Sequence, residues 1–250
     1  SKGRNIKNLD GKEGLKMNDT PKRDVEKKAT LMRQAIAENM VNSWSVSPKC
    51  DYFMKCDSEK LMDFRKAYEK KNGKKVSILS IVIKAASLAL KEYPFVNSSY
   101  DGEGKKHLMH QDINVGFVVA TGDGLIIPKV KNSDAISLEK TEDEVQRILD
   151  DIKAGTMKMN DFTQGSLTIN NMGQYERMQY HTAIINQPEL AIVSIYRIKE
   201  ELTVKNGQPA VGKIMNMVIS ADHRVIDGGM AYAFLNRVCE YLENPGSLME

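Results

Sequence analysis

The sequence predicts an α/β protein in which helices pack on one mixed β-sheet. Three observations favour this fold class. Helical and strand-like patterns are intermixed, without the regular strand–helix alternation of a parallel sheet. The stretch from Ile78 to Leu90 is apolar nearly all round, so as a helix it must be buried on most sides. Most of the second half is strand-like, which supplies the sheet that the helices cover.

Five helices are predicted from the helical spacing of apolar residues and from capping residues. The first runs from about Thr30 to Trp44, and Ser47-Pro48 ends it. The last begins after Gly228 and has a continuous apolar face. Serine side chains are expected to cap the three helices between them, at Ser58, Ser77 and Ser137.

Strand-like runs predict six main strands. Two of them flank Gly122-Asp123-Gly124, whose glycines favour a tight connection between paired strands. Asn206-Gly207 is a strong hairpin signal before the last strand. The chain has no G-x-G-x-x-G and no P-loop, so a nucleotide-binding fold is not indicated. The predicted strands are Cys50–Asp57, Ile113–Thr121, Leu125–Val130, Gly165–Asn170, Leu190–Tyr196 and Lys213–Ser220.

The charge distribution indicates one folded domain behind a basic N-terminal segment. Residues 1–28 hold nine Lys or Arg against five Asp or Glu, a balance of +4, whereas the 250-residue chain has a net charge of +3. The remaining residues are therefore close to neutral, which argues against nucleic-acid binding. We expect residues 1–28 to be a flexible linker and residues 29–250 to form one domain.

Cysteine usage and hydropathy exclude two further classes of site. The three cysteines have neither a C-x-x-C pair nor metal-ligand spacing, so no metal is expected. No run of residues is long enough to cross a membrane. The composition therefore favours a reduced, cytoplasm-like compartment without a membrane partner.

A strand-to-helix corner at Ser220–Gly229 holds the candidate site. It has the sequence S-A-D-H-R-V-I-D-G-G, in which Asp227 follows His223 by four residues. A histidine at such a corner is placed to exchange protons near neutral pH. The spacing is not that of a helical metal pair, because the predicted helix begins only after Gly228. A hydrogen-bonded structural histidine is the alternative that stays open.

Five blocks of sequence resemble, in order, the catalytic domain of the dihydrolipoamide acyltransferase components of 2-oxo acid dehydrogenase complexes. The corner resembles the active-site signature S-x-D-H-R-V-I-D-G of this family. The resemblance covers roughly residues 29–245, and it implies the mixed α/β fold of chloramphenicol acetyltransferase. The other four blocks are Arg33–Met40, Ile113–Val130, Gly165–Gly173 and Ile185–Glu189.

The resemblance implies acyl transfer between coenzyme A and a dihydrolipoyl thiol. In this family the histidine, here His223, removes the proton of the attacking thiol and later returns a proton to the leaving thiol. A thiol of pKa ~8.5 is a poor nucleophile at pH 7, and an imidazole of pKa ~6.5 removes its proton at modest cost. Asp227 is expected to make an orienting salt bridge, with Arg33 as the candidate partner. Gly228 is expected to let the backbone turn.

Two departures from the family pattern concern the acyl site. Asn170 stands where the family has Ser or Thr, whose hydroxyl stabilises the oxyanion of the tetrahedral intermediate. An asparagine amide can donate the same hydrogen bond, so Asn170 either keeps that role or simply ends a strand. The segment 174–182 is bulkier than in the family, and His181 and Tyr180 are therefore candidates for the substrate pocket. A solvated loop is the alternative there.

Coenzyme A and a lipoyl group are the expected reaction partners. Lys129 and Lys131 are candidates for contacts with the coenzyme A phosphates, against the alternative that both are solvated. No Asp-Lys pair occurs, so we expect the lipoyl group on a domain outside these 250 residues. Residues 1–28 would then be an interdomain linker or the end of a subunit-binding domain.

The resemblance also implies an assembly. Family members form homotrimers with active sites between subunits, often built into hollow cages with the other subunits of a 2-oxo acid dehydrogenase complex. We expect an acetyltransferase of the pyruvate dehydrogenase type, in the cytoplasm or, in a eukaryote, the mitochondrial matrix. The residues do not separate acetyl from succinyl or branched-chain groups. Two alternatives stay open: a catalytically weakened assembly core, and a transferase of the same fold with an amine or alcohol acceptor.

Overall fold

The structure is a computed structural model that describes residues 26–122 and 124–249. Most of the predicted linker at residues 1–28 therefore lies outside the described residues, and so does Asp123. Within the described ranges five α-helices form where the sequence predicts them. They are α1 (Leu31–Val46), α2 (Glu59–Asn72), α3 (Ile78–Glu92), α4 (Leu138–Ala154) and α5 (Gly228–Glu243).

The helix caps follow the prediction at two of the three serines. The hydroxyls of Ser77 and Ser137 accept hydrogen bonds from the first turns of α3 and α4. The prediction for Ser58 is wrong, because its hydroxyl donates instead to the Cys56 carbonyl at 3.4 Å. The Asp57 carboxylate, one residue earlier, accepts from the Glu59 N–H at 3.0 Å.

Eleven strands occur in the described part of the chain, and seven of them form the central sheet. Their order is β1-β11-β9-β8-β4-β7, and β10 pairs with the first half of β11. The pairs β4–β8 and β8–β9 are parallel and the others are antiparallel, so the predicted mixed sheet is confirmed. These strands are β1 (Lys49–Asp57), β4 (Val115–Phe117), β7 (Lys129–Val130), β8 (Leu167–Asn171), β9 (Ala191–Ile195), β10 (Lys199–Lys205) and β11 (Gln208–Asp222).

Four short strands form two ribbons outside the sheet: β2 (Ser98–Asp101) with β3 (Lys106–Met109), and β5 (Val119–Thr121) with β6 (Gly124–Ile126). The prediction of one long central hairpin needs correction, because the chain breaks it into β4–β7 within the sheet and β5–β6 outside it. Pro128 has no N–H to donate to a ladder, and the Val118 N–H turns to the Ile169 carbonyl of β8 at 3.0 Å.

The main core lies between the sheet and helices α2–α5. α5 packs against β1 and β11, while α3 lies between α4 and α5 and contacts β4 and β8. The ten buried residues of α3 confirm that this apolar helix is covered on most sides. The sheet face away from these helices approaches α1, the β5–β6 ribbon and the segment between β8 and β9. Both predicted parts of the site lie at strand ends: Asn170 near the end of β8, and His223 directly after β11.

Candidate active site

The corner after β11 fixes the backbone of His223. β11 ends at Asp222 and α5 begins at Gly228, so the histidine lies in the connecting turn as predicted. Its N–H donates to the Pro48 carbonyl at 3.0 Å. The imidazole is exposed and makes no hydrogen bond to another described residue. The corner therefore presents a solvent-accessible base on an anchored backbone.

Asp222 anchors this turn, although the sequence prediction did not single it out. The carboxylate is fully buried and accepts from the Arg224 Nη2 at 2.6 Å and from the Ser47 Oγ at 2.7 Å. The Arg224 guanidinium lies 5.0 Å from the centre of the Tyr100 ring, and its hydrogen bonds to Asp222 raise its pKa. The sequence contained one signal for this ion pair. Arg224 follows Asp222 by two residues, and a carboxylate at a buried strand end needs a cation nearby.

Asp227 and Gly228 begin α5, with different partners from those predicted. The Asp227 carboxylate accepts from the Met230 N–H at 2.8 Å and caps the helix. The structure does not form the expected Arg33–Asp227 salt bridge within one chain, because α1 brings Arg33 to Gly124. Gly228 does not have a positive φ. A methyl group there would lie 3.4 Å from the Tyr52 ring, so its role is close packing rather than backbone freedom.

A cavity of about 1020 Å³ lies on the sheet face away from α2–α5. α1, the β5–β6 ribbon and the segment from His181 to Glu189 form its walls. The lining is mainly apolar, and it includes Arg33 and Asn170 from the predicted set. The predicted pocket residue His181 also lines the cavity.

Asn170 and His181 are in direct contact. The Asn170 Nδ2 lies 3.2 Å from the His181 Nε2, and the His181 Nδ1 lies 2.7 Å from the Tyr196 hydroxyl. The buried Tyr196 was not among the predicted site residues. Its position directly after β9, next to β8 in the sheet, brings it to His181, and no local pattern in the sequence indicates that contact.

Lys129 is not available for coenzyme A phosphates, which corrects the prediction. Its side chain is 4% exposed and forms an ion pair with Glu189, which is 1% exposed. The Glu189 carboxylate oxygen that does not contact Lys129 accepts from the Thr168 hydroxyl at 2.6 Å. The Asn186 amide donates at 3.1 Å to the oxygen that contacts Lys129. Charges this deeply buried are stable only when they are paired and hydrogen-bonded, and this cluster satisfies both conditions. Both partners reach the cavity wall, where the pair is neutral.

Two further candidates lie away from the cavity. Lys131 lines a separate groove beside α4, together with Lys140 and Asp143. The Tyr180 ring packs edge-on against Phe53, with ring centres 5.1 Å apart, and both rings are largely exposed. Neither residue is among those that line the cavity. In the bulky segment 174–182, His181 lines the cavity, whereas its neighbour Tyr180 does not.

One chain does not bring His223 and Asn170 together. Asn170 pairs with Ser194 of β9, and Ser194 pairs with Val218 of β11. Asp222, the last residue of β11, lies roughly 13 Å beyond Val218 along the strand, and His223 follows it in the turn. A base must lie within hydrogen-bond reach of the attacking thiol, and an oxyanion donor within about 3 Å of the carbonyl oxygen that the thiol attacks. Within one chain the two residues therefore lie too far apart to act on one substrate.

The described residues contain no cluster of three or more His, Cys, Asp or Glu side chains arranged to hold a metal ion. None of their helices is both long and apolar enough to cross a membrane.

Comparison with known proteins agrees with the fold. Residues 21–250 match the family model of the 2-oxoacid dehydrogenases acyltransferase catalytic domain. The chain belongs to this family. The structure is also similar to that of a chloramphenicol acetyltransferase, with a TM-score of 0.53 at 13% identity over 82% of this chain and 94% of the other. This similarity confirms the predicted fold class.

The similar members of the acyltransferase family include enzymes for two acyl groups. The chain is 33% identical over 228 residues to a probable mitochondrial succinyltransferase component of the 2-oxoglutarate dehydrogenase complex of Schizosaccharomyces pombe, covering 89% of this chain and 50% of the relative. It is 34% identical over 233 residues to an acetyltransferase component of the pyruvate dehydrogenase complex of Acholeplasma laidlawii, covering 92% and 43%. The chain thus spans about half the length of these relatives or less.

A similar solved structure is the cubic core of a pyruvate dehydrogenase multienzyme complex. The TM-score is 0.85 at 27% identity, and the match covers 91% of this chain and 95% of that one. Almost the whole chain of that core therefore has a counterpart in this acyltransferase domain.

The cap at Asp227 predicts a difference between two substitutions. Asp227→Ala should lower the free energy of unfolding by about 1 kcal/mol, because the first turn of α5 loses its acceptor. Asp227→Asn keeps a side-chain oxygen for the Met230 N–H and should remain close to the parent protein. Urea unfolding followed by circular dichroism measures both. Equal losses in the two variants would contradict the capping role.

The buried pair predicts strong coupling between Lys129 and Glu189. Lys129→Met should destabilise the domain by about 3–5 kcal/mol, because Glu189 is left buried without a counter-charge. Adding Glu189→Gln removes that charge and keeps hydrogen-bonding atoms for Thr168 and Asn186, so the double variant should regain much of the loss. Lys131→Met is the control and should change stability by less than about 0.5 kcal/mol. A double variant no more stable than Lys129→Met would refute the coupling.

Proposed function

We propose that this domain transfers an acyl group between coenzyme A and a dihydrolipoyl thiol, as the resemblance implies. The observation that carries the proposal is the exposed imidazole of His223 on an anchored corner, in a chain that belongs to the acyltransferase family. Asp222 makes the side-chain contacts that anchor the turn, so the His223 imidazole itself has no hydrogen bond to another described residue. A base that is fixed at its backbone and open at its ring suits proton transfer with an incoming thiol.

The proposed reaction is an exchange of one thioester for another. His223 takes the proton of the attacking thiol, and the sulfur forms a bond to the thioester carbonyl carbon. The carbonyl oxygen becomes an oxyanion in the tetrahedral intermediate. When the intermediate collapses, the bond to the leaving sulfur breaks, and the imidazolium returns its proton to that sulfur. No electron is gained or lost, and no enzyme cysteine takes part.

Asn170 is the proposed donor to the oxyanion. Asn170 lines the cavity, and of the two N–H groups of its amide the His181 ring occupies one. The second has no acceptor among the described residues, so it can donate to the developing charge. One such donor is worth about 2.7–4 kcal/mol in related acyl-transfer sites.

We place the complete site between two copies of the chain. The separation of His223 from Asn170 along the strands supports this arrangement, since one chain cannot bring both to one carbonyl. Apolar side chains that are exposed on α1 and on the β10–β11 hairpin offer surfaces for a neighbouring copy. They include Leu31, Trp44, Leu202 and Val204. At least a trimer, built further into a cage, is the proposed assembly, and the similar cubic core supports it.

The lipoyl group, the partner subunits and the acyl group belong to the same proposal. The chain matches about half the length of its relatives, so we assign the lipoyl domain to a region or protein outside these residues. Acetyl transfer in the cytoplasm or mitochondrial matrix stays a prediction, because the relatives include acetyl- and succinyltransferases. With Lys129 neutralised by Glu189, only Lys131 of the two lysines first considered stays a candidate for the coenzyme A phosphates.

The base is tested by His223→Ala. The variant should lose about 10²–10⁴-fold in kcat for formation of S-acyl-dihydrolipoamide and free coenzyme A from an acyl-coenzyme A. Chromatography of the products with acetyl, succinyl and branched-chain donors measures the rate and ranks the acyl groups. The fold should be retained, because the imidazole has no bonded partner. His107→Ala, at another exposed histidine, is the control.

Three outcomes of that assay would count against the proposal. Retained activity in His223→Ala would refute the base. A cage-sized parent protein without turnover on any donor would favour the weakened assembly core. Faster transfer to an amine or alcohol than to dihydrolipoamide would favour the alternative acceptor class.

The shared site predicts complementation between two inactive variants. Co-expression of His223→Ala with Asn170→Ala should produce mixed assemblies in which some sites combine an intact base with an intact amide. Activity should therefore rise above that of either variant alone. Separately purified variants that are mixed without exchange of subunits are the control. No gain in assemblies proven to be mixed by mass spectrometry would contradict a site between chains.

A further inference from the structure

The two departures from the family pattern, Asn170 and the bulky loop that contains His181, meet at one point. The His181 Nε2 lies 3.2 Å from the Asn170 Nδ2, and both residues line the cavity. On the other side of the ring, Nδ1 lies 2.7 Å from the hydroxyl of the buried Tyr196. The three side chains form a continuous chain from β8 through the loop to the end of β9.

The hydroxyl of Tyr196 contacts three atoms of His181. It accepts the His181 N–H at 2.7 Å, lies 3.2 Å from the His181 carbonyl oxygen, and lies 2.7 Å from Nδ1. When the hydroxyl donates to the carbonyl, Nδ1–H donates to the hydroxyl, and we assign this tautomer because it is the one in which Nε2 accepts from the Asn170 amide. Nε2 therefore has the free lone pair, and the nearest donor to that lone pair is the Asn170 amide.

We propose that His181 and Tyr196 are positioning residues that hold the Asn170 amide for its role at the oxyanion, an inference that rests on the proposed function. An asparagine places its donor farther from the backbone than a serine or threonine does, and its side chain has one more rotatable bond. An acceptor beside the amide removes that freedom. His181 fixes one N–H and leaves the other, which is directed away from the ring, without an acceptor among the described residues.

The surroundings of His181 keep it able to accept. Burial lowers the pKa of the imidazole below its ordinary value, while the charge of Asp51 raises it and that of Lys49 lowers it again. Asp51 and Lys49 lie on β1 and form a salt bridge of 2.8 Å with each other. A neutral ring keeps the Nε2 lone pair at pH 7. A protonated ring would set an N–H against the Asn170 N–H and disrupt the contact.

The backbone around His181 is anchored on both sides, which gives the ring a defined position. The Tyr196 hydroxyl bonds both the N–H and the carbonyl of His181. Two residues later, the Ala183 N–H donates to the Ser220 hydroxyl of β11 at 3.2 Å. The loop is therefore fixed at the residue that contacts Asn170. A solvated loop, the alternative kept open for this segment, does not describe His181.

The kinetic test compares two substitutions of similar size. His181→Phe keeps a ring without an acceptor and should lower kcat about 10-fold, with KM nearly unchanged, because the oxyanion donor is misplaced. His181→Gln places an amide oxygen near the position of Nε2 and should retain most of kcat. Tyr175→Phe, on the same loop, is the control. Equal losses for Phe and Gln would overturn the proposal, since a purely structural role does not require an acceptor.

A double variant isolates the link to Asn170. In an Asn170→Ser background a short hydroxyl replaces the amide and does not need the imidazole. His181→Phe should then cost less than about twofold in kcat, compared with about 10-fold in the parent protein. The same cost in both backgrounds would overturn the proposal.

A crystal structure of His181→Phe separates failure of this inference from failure of the proposed function. The Asn170 side chain should leave its position at His181 and take another rotamer or several, whether or not the protein turns over any acyl-coenzyme A. An unchanged Asn170 conformation would refute the positioning role. A displaced Asn170 in a protein whose parent form is inactive on every donor would support the contact and reject acyl transfer.

Discussion

The buried carboxylate of Asp222 is the constraint on which the corner at His223 depends. A fully buried charge is tolerated only when donors surround it, and here the donors come from different parts of the chain. Arg224 lies in the turn itself, while Ser47 follows α1 and accepts in turn from the Gln187 amide at 2.6 Å. One carboxylate thereby ties the end of the longest strand to α1 and to the loop before β9. The position of His223, next to Asp222, follows from these ties.

A second buried charge has the same effect on the cavity. Glu189 joins Lys129 on β7 to Thr168 on β8, and Asn186 extends the cluster toward Asn39 of α1 at 3.4 Å. Gly165 is required here, because a methyl group at that position would overlap both charged side chains. The neutral Lys129–Glu189 pair therefore holds together the segments that form the cavity wall. This wall contains the apolar lining and two polar groups, the ion pair and the Asn170 amide.

The sequence predicted the fold well and the site unevenly, for physical reasons that differ between residues. Helices, strands and the Asn206-Gly207 turn depend on local periodicity and backbone preference, and both are visible in one chain. The corner at His223 was predictable for the same reason, since a strand, two glycines and a helix follow each other in sequence. Lys129 was misassigned because alternation along a strand does not reveal a carboxylate sixty residues away. The Arg33–Asp227 salt bridge does not form within one chain, because no local pattern in the sequence indicates that α1 brings Arg33 to Gly124.

Asn170 illustrates why a substitution at a proposed catalytic position has to be considered together with its neighbours. Taken alone, an amide in place of a hydroxyl suggests a weakened oxyanion site, because the donor is longer and less constrained. The contacts of His181 with Asn170 and Tyr196 supply the constraint that the longer side chain lacks. The bulky segment 174–182 and the asparagine then form one arrangement of the proposed acyl site rather than two independent losses. The position of His181 thereby sets the direction of the second Asn170 N–H.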